Sequence, residues 1–318
     1  MFQRVVLKIG VTGGAGYIGS FLIKKLVEKG HEVVCIDNEI VGDYKVFEKY
    51  GIDKKTSLVK GDIRDKETLI KTFENCDAVA HLAALSNLEI CNEQPQEAIS
   101  VNVFGTHQVM EAVKELGIKK AIFCSSASVY GEPIKIPVAE DSPLNALNLY
   151  GITKIAGEKI MNSYWLNDGI DTINLRFGNL YGVGLYTPWY AVIPKFIKQA
   201  LDGEKMTIYG DGEASRDYVH IEDITSAIIK SITTKNIGGE TFNVGGETIT
   251  VNQVAKIILE ETEQATGITS KTINLAPRLG ETREFSYDLS KIRSKLRFEN
   301  KWTVREGIKQ IIQYQLGV

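Results

Sequence analysis

Thr12 to Gly19 reads TGGAGYIG, between a short apolar run, Val5 to Val11, and a stretch with helical apolar spacing, Ile18 to Lys29. Strand, glycine turn and helix in that order turn a glycine pattern into a phosphate-binding expectation; without that context it is only a Gly-rich turn. The glycines read as GxxGxxG through Gly13, Gly16 and Gly19, or as GxGxxG through Gly14, Gly16 and Gly19. Either way, one glycine takes an unusual turn angle, one leaves room for a pyrophosphate, and the last lets helix and strand pack closely. Backbone N–H groups and the positive end of the helix then face the anion, so Gly13, Gly16, Tyr17, Ile18 and Gly19 are the expected phosphate-side contacts.

Moving outward, the next strand, HEVVCIDN, ends in Asp37 with Asn38 beside it, about eighteen residues past Gly19 and close to the ~20 of a dinucleotide fingerprint. A carboxylate there accepts hydrogen bonds from ribose hydroxyls and repels a 2′-phosphate, which selects NAD over NADP. Further apolar runs at Ser57 to Lys60, Ala78 to Leu82, Ala121 to Ser125 and Thr172 to Arg176 read as strands. Lys66 to Asn75, Gln96 to Leu116 and Leu149 to Leu166 read as the helices between them. The fold class is therefore α/β: a Rossmann-type doubly wound parallel sheet of six strands, with a smaller mixed α/β C-terminal lobe. That lobe contributes a helix at Ile193 to Leu201, a short strand from about Gly239, and helices at Val251 to Thr266 and Val304 to Leu316. Asp217 to Thr233 reads as a strand and helix returning to the first lobe, so the domains interleave as 1–177 with 217–238, and 178–216 with 239–318.

The 318 residues suffice for a large core, and 37 basic against 40 acidic side chains leave a net charge of −3. Without a polycationic surplus, nucleic acid and anionic membrane are not expected partners. The N-terminal apolar stretch is broken by Lys8 and runs into glycines, which fits a strand rather than a signal peptide. No run reaches the ~18 apolar residues of a membrane span, so a soluble protein is expected. The cysteines (Cys35, Cys76, Cys91, Cys124) form no CxxC pair, which predicts reduced thiols and a cytoplasmic setting. No histidine pair has ligand spacing, so no metal is expected.

Tyr150 and Lys154 form YxxxK, an i, i+4 pair on one helical face. A phenol near pKa 10 is a poor base at neutral pH, but a neighbouring ammonium and a positive nicotinamide ring favour its phenolate. The pair then makes a usable general base. Alone, YxxxK occurs in many exposed helices; its place after a dinucleotide fingerprint and a Ser-rich strand end gives it weight.

Here the chain resembles the extended short-chain dehydrogenase/reductase family, in its NAD-dependent nucleotide-sugar epimerase/dehydratase branch, over nearly its whole length. The resemblance is carried by TGGAGYIG at 12, GDIRD at 61, HLAA at 81, SSASVYG at 125, YGITK at 150, RFGNLYG at 176, YGDGEASRDYVHIED at 209 and RLGE at 278. It implies that Tyr150 is the acid/base, that Lys154 tunes it and anchors a ribose, and that the Ser126 hydroxyl bonds the reacting sugar oxygen. It places Asp62 and Ile63 at the adenine, and Leu82, Ala83, Ala84, Asn102 and Ser125 along the NAD. It also assigns Ser86 to the sugar, Asn179, Arg216 and Arg278 to a nucleotide diphosphate, and Tyr209 to its base. Two guanidiniums suit a diphosphate.

The family's chemistry varies on one scaffold. Relatives that eliminate water carry an Asp-Glu pair where this chain has Ala127 and Ser128, and nucleotide-glucuronate decarboxylases carry Glu at the Ser128 position. The resemblance therefore implies C4 epimerisation of a nucleoside-diphosphate hexose, by analogy a UDP-sugar, with NAD as cofactor. Two alternatives stay open: elimination through another carboxylate, Glu89 or Glu132, and a non-catalytic NAD-sensing module. Phe285 aligns with a position lining the hexose pocket. The resemblance also implies a homodimer pairing the helices near Gln96 to Leu116 and Leu149 to Leu166, with Val101, Val109, Val113 and Ile155 as candidate face residues.

Overall fold

The computed structural model describes residues 6–49, 51–52, 55–189, 191–277 and 283–317, with the side chain of residue 49 excepted. In chain order the first lobe runs β1 (Lys8–Thr12), α1 (Tyr17–Glu28), β2 (Glu32–Asp37), α2 (Lys45–Lys49), β3 (Thr56–Lys60), α3 (Lys66–Phe73) and β4 (Ala78–His81). It continues with α4 (Leu88–Glu93), α5 (Pro95–Ile99), α6 (Thr106–Glu115), β5 (Lys120–Ser126), α7 (Leu149–Asp168) and β6 (Asp171–Phe177). There follow β7 (Asn179–Tyr181), α8 (Val192–Leu201), β8 (Met206–Tyr209), β9 (Ser215–His220), α9 (Ile221–Thr233), β10 (Thr241–Val244) and β11 (Glu247–Thr250). The chain ends with α10 (Val251–Thr266), β12 (Thr272–Leu275), α11 (Ser290–Leu296) and α12 (Val304–Leu316).

The main sheet has seven strands in the order β10-β6-β5-β4-β1-β2-β3. Every neighbouring pair in it is parallel, as crossovers through helices require. Its inner strands are buried along most of their length because helices cover both faces. One buried cluster joins Ile9, Val11, Leu22, Ile122, Ile173 and Ile228, and the other joins Ile36, Phe73, Val79, Val109, Phe123 and Met161. The chain order reverses between β1 and β4, and the C-terminal ends there form the crevice where a doubly wound sheet binds its ligand.

Three expectations change. Thr241–Val244, expected in the second lobe, pairs with β6 as the seventh strand of the main sheet. The strand at Asp217 does not return to that sheet; β9 lies between β11 and β7 in a three-stranded sheet, and only α9 packs back on the first lobe. The single helix foreseen over Gln96 to Leu116 is interrupted by a π-helical segment, Ser100–Gly105. There the Thr106 hydroxyl donates to the Asn102 carbonyl at 2.6 Å, and a Cβ on Gly105 would sit 2.6 Å from Ile63 Cδ1. Local packing and a side-chain bond thus displace the regular ladder, as π-bulges near functional sites often show. Strand β1 begins at Lys8, and Val5 lies outside the described residues.

The second lobe packs α8, α10 and α12 around Phe196, Met206, Val254, Ile258, Ile308 and Ile311. Capping boxes at Thr250 with Gln253 and Thr303 with Glu306 start α10 and α12, each contributing about 1 kcal/mol. No described helix is long and apolar enough to cross a membrane. All four cysteines are free and buried, and no described cluster of His, Cys, Asp and Glu could hold a metal ion.

Candidate active site

The glycine turn is built against the end of β4. Gly13 takes φ +72°, and a Cβ on it would lie 2.7 Å from the backbone nitrogen of Ala83. A Cβ on Gly19 would lie 2.0 Å from the Gly13 carbonyl oxygen, so α1 can approach the turn only without a side chain. Thr12 Oγ1 accepts N–H bonds from Leu82 (3.1 Å) and Ala83 (3.0 Å) and bonds His81 Nδ1 at 2.7 Å, fixing the turn to the segment that follows β4. Burial pushes His81 down to about 3, so its ring is a neutral strut between Thr12 and Thr106. Gly16 caps α1 and Ile18 packs on the core. Backbone this bare at a helix N-terminus fits a dinucleotide pyrophosphate.

At the tip of β2, Asp37 accepts from Ala15 N (3.0 Å) and Glu39 N (2.7 Å), and burial raises its carboxyl against those bonds. Asn38 reaches Asp62, whose carboxylate takes Nε and Nη2 of Arg64 at 2.9 and 2.6 Å, and the Arg64 bond holds that carboxyl low. Ile63 is buried beside Gly105. The Asn102 side chain accepts from Leu85 N (2.7 Å) and donates to Leu85 O and Thr153 Oγ1 (both 3.0 Å), tying Leu82–Leu85 to α7. Ala84 is half-buried and Ser86 is exposed.

Ser126, Tyr150 and Lys154 come together where β5 ends. Asn148 caps α7 through a 2.8 Å bond from Gly151 N, and the helix places Tyr150 and Lys154 in its first turns. Lys154 is buried, 4.8 Å from the Phe123 ring centroid and 5.7 Å from that of Tyr150, and it donates to the Cys124 carbonyl at 2.7 Å. Gly157 lets α7 lie this close, since a Cβ there would fall 2.4 Å from Phe123. Burial raises the Tyr150 phenol above its ordinary range, offset in part by a hydrogen bond with Ser126, and burial pulls Lys154 down to about 8. A phenol, a hydroxyl and an amine so placed can relay a proton, provided that added positive charge brings the phenol down. Ser125, expected along the cofactor, gives its hydroxyl to Glu158 at 2.6 Å and keeps only its backbone for the cleft.

In the second lobe Asn179 starts β7 opposite Tyr218 of β9, and the pleat puts Arg216 of the same strand on that face. Arg216 Nη1 donates to Ser215 O at 2.8 Å. Tyr209 ends β8 in a separate two-stranded sheet with β12. Arg278 lies outside the described residues. Phe285 is buried with Tyr130 and Tyr287, ring centroids 6.3 and 5.0 Å away.

The sequence reading missed three features. Tyr17 turns its hydroxyl across the lobes to the Gly182 carbonyl at 2.5 Å, and a Cβ on Gly184 would lie 2.5 Å from its ring. Asp217, buried, accepts from Gly246 N at 2.7 Å and Tyr287 N at 3.3 Å, gathering the strands around Arg216. Glu158 and Arg176 pair behind α7. Only the last had a visible signal, an acidic residue four positions past Lys154.

Fold and site together define a two-lobed Rossmann-type protein with a built dinucleotide cradle. Residues 9–245 match the model of the NAD dependent epimerase/dehydratase family. A UDP-glucose 4-epimerase of Lactobacillus helveticus is 36% identical over 242 residues, 71% of this chain and 72% of that protein. The crystal structure of UDP-glucose 4-epimerase from Thermotoga maritima with UDP-glucose superposes at TM-score 0.90 and 31% identity, covering 98% of this chain and 99% of that one. The dTDP-glucose 4,6-dehydratase DesIV of Streptomyces venezuelae, with NAD bound, gives TM-score 0.89 and 26% identity over 98% and 97% of the two chains. The chain belongs to the NAD-dependent epimerase/dehydratase family of nucleotide-sugar enzymes, and NAD is its cofactor.

Proposed function

We propose that this protein inverts C4 of a UDP-hexose through a transient 4-keto sugar. The observation that carries this reading is the short turn after Ser126. It presents Ala127 and Ser128, with Ser128 N and Oγ both 3.2 Å from Ser126 Oγ, where water-eliminating relatives carry two carboxylates. Glu89 and Glu132, the other carboxylates considered for elimination, are exposed.

The glycine turn, Asp37 and Lys154 are suited to hold NAD, which when bound accepts a hydride from the sugar carbon and returns it. Tyr150 takes the C4 hydroxyl proton, directly or through Ser126, and later gives it back. Lys154 holds the phenolate. Asn179, Arg216 and Arg278 keep the diphosphate anchored while the keto sugar presents its other face, so that binding energy maintains the reacting geometry on both faces.

Incubation with UDP-glucose, UDP-galactose and their acetamido and uronic forms tests this. An isomer of equal mass supports C4 epimerisation, whereas loss of water or of carbon dioxide, or no conversion, contradicts it. We also propose a homodimer through Gln96 to Leu116, which holds α5, the π-helical segment and α6, and through α7. Val109 and Val113 face the core and Val101 and Ile155 pack against it, whereas Ile99, Phe104 and Ile152 stand 49, 48 and 53% exposed on the outer side. Light scattering at the mass of two chains supports this pairing, and at one chain rejects it.

A further inference from the structure

Behind the site, on the side of α7 turned away from solvent, runs a buried polar chain. Glu158 Oε1 accepts from Ser125 Oγ at 2.6 Å and Arg176 Nε at 2.8 Å, and Oε2 accepts from Arg176 Nη2 at 2.7 Å. Arg176 Nη1 donates to the Tyr130 hydroxyl (2.6 Å) and the Glu140 carbonyl (2.9 Å), and Tyr130 donates to Asn243 Oδ1 (2.6 Å). Glu158 and Arg176 are 2 and 4% exposed. A buried ion pair is weak evidence for stability, because apolar side chains of the same volume often serve as well, so its value has to be sought in what it positions.

Tyr150, Lys154 and Glu158 form an i, i+4, i+8 row on α7, and each has a partner among three consecutive residues of β5. The Ser126 hydroxyl meets Tyr150, the Cys124 carbonyl takes Lys154, and the Ser125 hydroxyl donates to Glu158. We infer that Glu158, clamped by Arg176, is a positioning residue that sets the register of α7 on β5 and keeps a carboxylate one helical turn from Lys154. This rests on the proposed proton-transfer role of Tyr150 and Lys154.

Titratable groups from four elements surround Lys154. On its own helix stand Tyr150 and Glu158; Cys124 faces it from β5, Cys91 from α4 and His81 from β4, with Arg176 of β6 behind Glu158. Burial keeps the two thiols neutral by pushing them up, Cys124 to about 12, and keeps His81 neutral by pushing it down to about 3. Glu158, held by Ser125 and Arg176, is the carboxylate of this set. Without it, burial would pull the Lys154 ammonium to a still lower pKa.

The test uses the NAD-loaded enzyme and its nucleotide sugar. Glu158→Gln keeps the shape and removes the charge. The expected result is a kcat about tenfold lower, with KM within about threefold and the alkaline limb of the profile moved acidward by about half a pH unit or more. Glu158→Asp should return the limb towards its original pH while kcat stays low. An unmoved limb in the Gln variant, with activity lost only in proportion to the unfolded fraction, would overturn the inference. Should that variant fail to fold, Ser125→Ala cuts only the tie to β5; a several-fold fall in kcat at unchanged KM supports the inference and an unchanged kcat overturns it. Tyr150→Phe separates the two readings. If it remains active, the proton-transfer role itself fails; if it is inactive while the Glu158 variants behave as wild type, only the positioning role falls.

Discussion

Lys154 is under two opposing electrostatic demands. Its amine is buried and pulled down to about 8, yet the proposed chemistry needs it charged, since the ammonium is what favours the Tyr150 phenolate. The sign follows directly: the charged form is fully present below that value and is lost as pH rises through it. The rate is therefore expected to decline above about pH 8 in the native protein. In Lys154→Arg the guanidinium does not titrate in the accessible range, so the alkaline limb disappears even as the rate drops, and a full pH profile of kcat/KM for both proteins checks this. A limb retained in the Arg variant would assign the titration to another group.

At the scale of elements, the contact between β1, the glycine turn and α1 is the most exacting. Gly19→Ala would place a methyl 2.0 Å from the Gly13 oxygen, which forces α1 off the turn. Overpacking of this kind costs roughly 1–3 kcal/mol, and NAD retention should fall with it. Gly30→Ala is the control: φ is +81° but nothing lies within 4 Å, so only the backbone penalty of about 1 kcal/mol is expected, with NAD retained. Denaturant melts and the NAD content of both purified proteins check the contrast. This element was readable because its demands are local: a period-3.6 pattern after glycines at fixed spacing. The row of Tyr150 and Lys154 on α7 was equally open to reading, since i, i+4 spacing translates directly into one face. What escaped depends on distant partners. The apolar spacing of Gln96 to Leu116 does not announce a π segment, since Ile63, from outside the stretch, is packed against Gly105. The short strand at Thr241 looks the same whether it pairs with β6 or opens a second lobe, and tertiary pairing decides. Glu158 is an ordinary helix residue until β5 and β6 bring Ser125 and Arg176 to it.

Across the whole molecule, the Tyr17 hydroxyl bond to Gly182 joins the glycine turn of one lobe to the segment leading into α8 of the other. His220 and Gln310 hold the same segment, with Nε2 and Oε1 3.0 Å apart and a 3.4 Å bond from Val183 N to Gln310. Removing the single hydroxyl should cost about 1 kcal/mol of closure. Tyr17→Phe is therefore expected to raise KM for the nucleotide sugar about fivefold at near-constant kcat, as steady-state kinetics would show; a change confined to kcat would place Tyr17 in the chemical step instead.

That one sugar carbon gives up a hydrogen and takes the same one back on its other face, while Tyr150 handles the proton, is the core of the proposed reaction. It is tested most directly with UDP-glucose carrying deuterium at C4, incubated in ordinary water. UDP-galactose of unchanged mass with the deuterium still at C4 is expected, and no product from Tyr150→Phe. Deuterium washed out to solvent or moved to another carbon, or a dehydrated sugar, would contradict it.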